Sequence, residues 1–382
     1  MDDHLSIPLL PLAPGSSTIQ WYRDVAVWGA VGNLGMTTVG AVVLSLPAAV
    51  ATIGWMLGLV LLVAFALMAD ASMVFLVRSG ISVAADHPGR EGMLDYEQVG
   101  RYLLGKWWAL AIRATLLCLL VGAMASVNII VVDMVQGNLQ TFGISGTWYC
   151  SRWFISLVNI GVMWPFTLLE HLAQLSKVSL LAFASLAYVF VAVMWVCFTD
   201  PALAESVQQA QPVLLSPRGF LAVPVMALAY CAQFQVLPVY QSLPQHSRRH
   251  METVIHVAIV ALALPIYIGF GMLPYFDLGP DVNSDFLYIS WPGNKLMTGA
   301  RIFLSVMNML KYPLVALPLR DILCDLIWSK RTTPMTIKGR FLVRDPWSSW
   351  NLLLHSSLVL VSLSPPKLRC GWHLPLTQFF LQ

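Results

Sequence analysis

The sequence predicts an all-α membrane protein, and composition is the first reason. Hydrophobic residues make up 58% of the 382 residues and charged residues only 11%, with a mean hydropathy of +0.71. A soluble chain carries about a quarter charged residues, so lipid must be the solvent for much of this one. A net charge of +3 leaves no basic surplus for a nucleic acid partner. The scattered cysteines predict neither a metal site nor a disulfide framework, and no resident cofactor is expected.

The second reason is a series of apolar stretches long enough to cross about 30 Å of hydrocarbon as helices. The predicted spans are about 26–50, 55–77, 109–133, 153–169, 176–198, 219–240, 252–274 and 297–319, with a weaker ninth at 349–363. Residues 1–24 are then a polar N-terminal tail, 25–363 form one membrane domain, and 364–382 form a divergent C-terminal tail.

The third reason is the distribution of basic residues, which sets the orientation. With the N-terminus in the cytosol, fourteen of the 22 Lys and Arg residues fall in cytosolic loops. Only Arg152, Arg218 and Lys295 fall in loops on the opposite side. Cytosolic loops of membrane proteins are enriched in Lys and Arg. The bias therefore predicts a cytosolic N-terminus, and it supports the span count, because a missed span would reverse the side of every later loop.

The first span contains residues that weaken a helix. Gly35 and Gly40 lie in its middle and Pro47 removes a backbone donor near its end. Irregular backbone at membrane depth is tolerated only where it is buried in protein or lines a cavity. This pattern predicts a broken helix in the first span.

The sixth span shows the same pattern, five spans later. Pro224 and Pro238 interrupt it, and Gln233 and Gln235 place amides within apolar sequence. Interrupted spans at corresponding places in two halves are typical of the midplane binding site of a transporter. The alternative is that Gly and Pro are simply frequent in membrane helices.

Several short motifs carry a resemblance to a known family. Val39–Pro47 reads V-G-A-V-V-L-S-L-P and resembles the V-G-A-G-V-L-x-L-P pattern of the amino acid/auxin permeases. Further matches follow in the same order at Ile129–Asp133, Leu237–Tyr240, Gly271–Phe276, Tyr312-Pro313 and Leu317–Arg320. The resemblance covers roughly residues 25–345 and is closest to the sodium-coupled neutral amino acid transporter branch.

This resemblance implies a fold, a function and a site. The fold is an inverted-repeat helical bundle of the leucine-transporter type, and the function is secondary active transport of a neutral amino acid such as glutamine or alanine, coupled to sodium ions or protons. The implied substrate-binding residues are Val39, Gly40, Ala41, Val42, Tyr230, Cys231, Gln233 and Asn308. The implied coupling-ion region comprises Met36, Val39, Leu310, Lys311 and Asp70.

Four departures from the family pattern bear on that site. Val42 replaces a glycine that would let the substrate carboxylate approach the backbone. Met36 replaces an asparagine near the sodium site, and a thioether is a poor ligand for a hard cation. Ala232-Gln233 replaces a Cys-His pair, and Leu310-Lys311 replaces a Thr-Ser pair whose hydroxyls would face sodium. The sodium site is therefore expected to be degraded.

Lys311 lies far from both membrane surfaces. Arg301 precedes it by ten residues and Arg320 follows by nine, so it lies about 14 Å along the helix from each. An ionisable side chain at that depth is a functional candidate by default. We expect its ammonium to take the place of sodium, holding the first and eighth spans together or carrying a proton. The alternative is that Lys311 pairs with Asp70.

Other polar residues within the spans fit structural roles. Asn128, His256 and Asn308 are expected to hydrogen-bond between helices, although the resemblance also places Asn308 at the substrate. Arg113 is expected to reach the inner headgroups.

The end of the sequence departs from the family. Pro365, Pro366 and Pro375 exclude a further span in 364–382. The bundle is therefore expected to be truncated after about nine spans, without the last member of the second repeat and the eleventh span.

The leading interpretation is a transporter of neutral amino acids in a lipid bilayer. The alternative is a non-transporting amino-acid sensor or scaffold, or a truncated, inactive isoform. An enzyme is not expected, since the sequence has no nucleophile–base spacing, phosphate-binding loop or dinucleotide motif. No sorting signal separates the plasma membrane from a lysosomal or vacuolar membrane, and the oligomeric state is left open.

Overall fold

The structure is a computed structural model. It describes residues 17–86, 95–143, 148–167, 176–201, 203–214, 217, 219–243, 247–280, 282, 286–289, 291 and 293–328. Every regular element within these ranges is helical. The predicted ninth span at 349–363, the tail at 364–382 and the N-terminal residues before 17 lie outside the described residues.

Fourteen α-helices make up the described part of the chain. They are α1 Ser17–Thr38, α2 Leu46–Ile53, α3 Trp55–Asp86, α4 Tyr96–Leu104, α5 Lys106–Thr141, α6 Arg152–Thr167, α7 Ser176–Thr199, α8 Leu203–Gln209, α9 Gly219–Ala229, α10 Gln233–Ser242, α11 Arg248–His256, α12 Leu264–Leu278, α13 Phe286–Ile289 and α14 Lys295–Trp328. Helix α1 begins at Ser17, nine residues before the predicted start of the first span.

By length and apolar composition, five segments of the described residues could cross a membrane: Trp55–Asp86, Lys106–Thr141, Leu181–Thr199, Gly219–Ser242 and Arg248–Leu278. The bent pair formed by Val27–Thr38 and Val42–Ile53 is a sixth. The predicted fourth and eighth spans correspond to α6, a helix of 16 residues, and α14, a helix of 34 residues, and neither is among these candidate segments.

Large apolar side chains on the outside of these helices agree with a lipid surround. Phe75 of α3, Trp195 of α7 and Phe220 of α9 are 65%, 62% and 82% exposed. A helix that is apolar on all sides belongs in a hydrophobic core or a membrane. These faces are therefore expected to contact lipid.

Helix α14 is the centre of the packing. It packs most extensively against α5 and α7. Its residues Leu304 and Met307 join the main apolar core, whereas Tyr312 and Val315 join a second core with α5. Because α14 lies between these two cores, its midpoint is held firmly in the bundle.

The seventh span changes its helical form at mid-length. Between α11 and α12 the residues Val257–Ala263 form a π-helix, and Pro265 lies in the first turn of α12. Proline offers no N–H to the preceding turn, and π-helical turns within α-helices are frequent at functional sites. Tyr267 follows this segment, in the first turns of α12.

Helix α4 is fastened to α5 by an ion pair. Arg113 Nε donates to Glu97 Oε2 at 2.5 Å. The expectation that Arg113 reaches the inner headgroups stays a prediction, and Arg113 also has a carboxylate partner on the preceding helix. Between α5 and α6, Asn128 donates to Ser156 at 2.9 Å and accepts from Asn159 at 2.7 Å. This confirms the expected interhelical role of Asn128.

Candidate functional site

The first span is broken at Val39 and Gly40. Helix α1 ends at Thr38, Gly40 is extended (φ −115°, ψ −162°), and a 3₁₀ turn over Ala41–Ser45 leads into α2. The two halves of the span are bent by 48°. The last four carbonyl groups of a helix have no intrahelical partner, so those at the end of α1 need donors from elsewhere. Pro47 does not make the break. It lies in the first turn of α2, where a missing N–H is tolerated.

Lys311 of α14 supplies donors to this break. Its Nζ donates to the carbonyl oxygen of Thr37 at 2.8 Å and to that of Val39 at 3.3 Å, and the residue is 5% exposed. Hydrogen bonds from a charged donor are roughly twice as strong as neutral ones, so Lys311 ties α14 to α1. The alternative pairing with Asp70 is wrong. The Oδ1 atom of Asp70 lies 2.7 Å from His256 Nδ1, which joins α3 to α11.

Gly40 makes room for this amine. A Cβ atom on Gly40 would lie 2.7 Å from Lys311 Nζ and 3.9 Å from its Cε. Real Cβ contacts are not this short, so any larger residue would push the amine away from the break. The structure therefore favours glycine at this position, where the family motif also has one, because a larger residue would displace the Lys311 amine.

Asn308 lies one helical turn before Lys311, on the same face of α14. It is fully buried, and its Nδ2 donates to the carbonyl oxygen of Leu304 at 2.9 Å within its own helix. The expectation of an interhelical bond is therefore wrong for Asn308. Its Oδ1 has no partner among the described residues, which leaves an acceptor for an incoming donor.

The sixth span is interrupted at Tyr230–Ala232, between α9 and α10. Cys231 is half-buried within this turn. The break falls between Pro224 and Pro238, and each proline lies inside a helix instead of at the interruption. The predicted broken span is present, but the prolines do not mark its position. Neighbouring groups in a bundle can satisfy a carbonyl that a proline leaves free.

Tyr267 of α12 connects the two breaks. Its hydroxyl oxygen lies 2.7 Å from the carbonyl oxygen of Thr38 at the end of α1 and 2.6 Å from that of Ala229 at the end of α9. Tyr267 is fully buried. The ends of two broken helices thus meet at one phenol group.

Tyr230 completes a polar centre that it forms with Tyr267 and the ends of α1 and α9. Its ring packs edge-on against the ring of Tyr267, with centroids 4.9 Å apart and an interplanar angle of 81°. It is 1% exposed, and its hydroxyl has no hydrogen-bond partner among the described residues. A buried hydroxyl without a partner is costly, so this group also invites a polar ligand.

The other predicted site residues contribute less. Met36 is fully buried, while Val42 and Leu310 are half-buried against the main core, and none of the three side chains carries an oxygen for a cation. Gln233 points to α3, where its Nε2 lies 3.4 Å from Ser72 Oγ. The structure therefore brings Val39, Gly40 and Lys311 together, but it separates Gln233 from them.

Two residues near the breaks were missed as site residues from sequence. Tyr267 had one available signal, its position two residues after Pro265 within a membrane span. The sequence marks Gln235 only as a polar residue within a span. It is 1% exposed, and both its side-chain amide atoms lack partners among the described residues.

The described residues define a multi-pass helical membrane protein with two interrupted spans meeting at a polar centre. A profile of the family described as "Transmembrane amino acid transporter protein" matches residues 23–369, and the chain belongs to this family. This confirms the prediction of an amino acid/auxin permease, and the family is one of transporters rather than enzymes.

Curated relatives agree with this assignment. Three Arabidopsis thaliana proteins named Amino acid transporter AVT6E, AVT6A and AVT6D are similar to the chain. They are 28%, 24% and 26% identical over 72%, 88% and 89% of this chain. The matched regions span 56%, 76% and 80% of the respective relatives. These names support the family rather than its sodium-coupled neutral amino acid branch.

Proposed function

We propose that this chain is a secondary active transporter that moves a neutral amino acid across a membrane by alternating access, with the cargo bound at the two breaks. The meeting of the two broken spans at Tyr267 is the observation that carries the proposal. Because the breaks lie five spans apart, an inverted repeat of the leucine-transporter type accounts for their symmetry. The N-terminus is placed in the cytosol, and the membrane is either the plasma membrane or a lysosomal or vacuolar membrane.

The chemistry of the breaks suits a zwitterion. The N-terminal ends of α2 and α10 present backbone N–H groups and a partial positive charge to a carboxylate. The Asn308 Oδ1 and the Tyr230 hydroxyl oxygen, which have no partner among the described residues, are acceptors for an ammonium group. Val42 narrows the approach to the backbone, which favours a small amino acid such as alanine, with glutamine as the larger candidate.

The arrangement around Lys311 supports transport without sodium. The Thr37 and Val39 carbonyl oxygens are the kind of ligand that sodium would use, and the Lys311 ammonium already donates to both. Met36 and Leu310 add no oxygen. A second cation at this position would face both charge repulsion and too few ligands. Lys311 thus replaces the coupling cation in joining α1 to α14.

A second candidate function is a non-transporting amino-acid sensor. The observation in its favour is that Lys311 and Tyr267 satisfy the carbonyls of the first break from within the protein, which stabilises one conformation. A sensor would bind the amino acid without accumulating it, whereas a transporter would carry it against its gradient.

Uptake into proteoliposomes tests the proposal. Under an imposed proton gradient, we expect purified protein to accumulate radiolabelled alanine or glutamine at the same rate in sodium chloride and in choline chloride, because Lys311 occupies the place of sodium. Lys311→Met should abolish uptake. Lys295→Met, the same change at an exposed position of α14, should retain it.

Two outcomes would contradict the proposal. Uptake that falls to background in choline would refute sodium independence. Saturable binding without accumulation, under every imposed ion gradient, would favour the sensor.

A further inference from the structure

The Tyr267 hydroxyl has one hydrogen and two acceptors. Thr38 O at 2.7 Å and Ala229 O at 2.6 Å are both carbonyl oxygens, which cannot donate. The phenolic hydrogen is therefore shared between the two carbonyl oxygens in a three-centre bond, in which each carbonyl oxygen accepts part of one hydrogen bond.

Both carbonyls depend on this hydroxyl because of where they lie. Each belongs to the last residue of a helix, α1 or α9, and the carbonyls at a helix end have no intrahelical donor. Tyr267 is fully buried, so water is not at hand to replace the phenol. Separating either helix end from Tyr267 leaves a buried acceptor without a donor unless solvent enters.

The predicted orientation of the chain puts the two helices that Tyr267 joins on opposite sides of the membrane midplane. With the N-terminus in the cytosol, α1 is the cytosolic half of the first span and α9 is the outer half of the sixth. The hydroxyl joins them only while their carbonyl oxygens lie within about 5 Å of each other. Movement of α1 away from the centre opens a cytosolic path, and movement of α9 opens an outer one.

We propose that Tyr267 is a positioning residue that holds the closed state and alternates between the two breaks. When α1 moves outward, the hydroxyl keeps its bond to Ala229 O. When α9 moves, it keeps its bond to Thr38 O. In either open state the hydroxyl hydrogen is directed at the one helix end that remains, whereas in the closed state the shared hydrogen attracts both helix ends, and this second attraction favours the closed state. This inference rests on the proposed alternating access.

The thiol of Cys231 can report whether the Tyr267 hydroxyl still holds the ends of α1 and α9 together. It lies in the turn between α9 and α10, two residues after Ala229, and it is half-buried. Opening of the centre to either side brings water and small reagents to this thiol. Alkylation by N-ethylmaleimide, resolved by mass spectrometry of the Cys231 peptide, measures the opening without any need for transport.

Tyr267→Phe removes the hydroxyl and keeps the ring against Tyr230. We expect the alkylation rate of Cys231 in the full-length protein in lipid vesicles to rise about threefold, because the closed state loses the attraction of the hydroxyl to its second acceptor, which contributes less than a whole buried hydrogen bond. Tyr275→Phe is the matched control, since Tyr275 is on the same helix, is also buried, and its hydroxyl accepts from the Gln211 amide instead. This control should leave the rate within twofold of wild type.

Cys150 and Cys197, both buried, distinguish a local change from general loosening. A rise in the alkylation rate of Cys231 alone supports the proposal. An unchanged rate at Cys231 in Tyr267→Phe overturns it, and so does a parallel rise at all three cysteines, which would assign Tyr267 a merely structural role. Failure of amino acid uptake would contradict the proposed function, but the alkylation rates could still be measured and interpreted.

Discussion

Replacing Gly40 with alanine should displace the Lys311 amine by a distance that can be calculated from the structure. The new Cβ atom would lie 2.7 Å from Nζ, and a comfortable contact needs about 3.5 Å, so the amine must retreat by about 0.8 Å. If it retreats away from α1, its 2.8 Å bond to Thr37 O lengthens to about 3.6 Å, beyond hydrogen-bond range.

The loss of that bond gives the expected size of the effect. A hydrogen bond from a charged donor contributes about 1.5–3 kcal/mol, which corresponds to roughly 10- to 150-fold in an equilibrium or rate. Since Lys311 has a flexible side chain, the fold should tolerate the displacement. We therefore expect the ratio Vmax/KM for sodium-free uptake to fall by that factor, with little change in thermal stability.

Gly29→Ala is the matched control, because a Cβ on Gly29, also in α1, would have no atom within 4 Å. Activity of Gly40→Ala within twofold of the Gly29→Ala control would refute the reasoning.

Two further predictions concern polar contacts away from the breaks. Asp70→Asn should change sodium-free uptake by less than twofold, because Asp70 lies against His256 and not Lys311; a tenfold loss in the same uptake assay would restore the Asp70–Lys311 alternative. Asn128→Leu should lower the free energy of unfolding by about 1 kcal/mol, since it leaves the Ser156 hydroxyl without its donor. Thermal denaturation in detergent measures this change, and an unaltered midpoint would show that the Asn128 contacts contribute nothing.

Both breaks could be predicted from sequence, but only the first could be located. Gly40 lies at the first break, and its motif is local, so sequence alone could find it. Pro224 and Pro238 misplaced the second break, because a proline removes one backbone bond whose acceptor a neighbouring helix can satisfy. The turn at Tyr230–Ala232 depends on the tertiary partner of Ala229 O, which local sequence does not contain.

The position of Lys311 at the middle of its helix could be predicted from its spacing, whereas its hydrogen-bond partners could not. Flanking arginines nine and ten residues away place it in mid-helix. Its acceptors, however, are backbone atoms 274 and 272 residues earlier. Because every residue has the same carbonyl group, no residue type in the sequence identifies these two acceptors. Tyr267 was missed for the same reason: it contacts Thr38 O across 229 residues, and no motif encodes that contact.

The most direct test of the Lys311 assignment is to convert its position to the residue pair that the sodium-coupled branch carries. The double variant Leu310→Thr/Lys311→Ser removes the ammonium and offers two hydroxyl oxygens beside the Thr37 and Val39 carbonyls. We expect sodium to stimulate amino acid uptake by this variant in proteoliposomes and to leave wild-type uptake unchanged. Wild-type uptake that requires sodium, or a double variant that transports equally well in sodium and choline, would contradict the assignment.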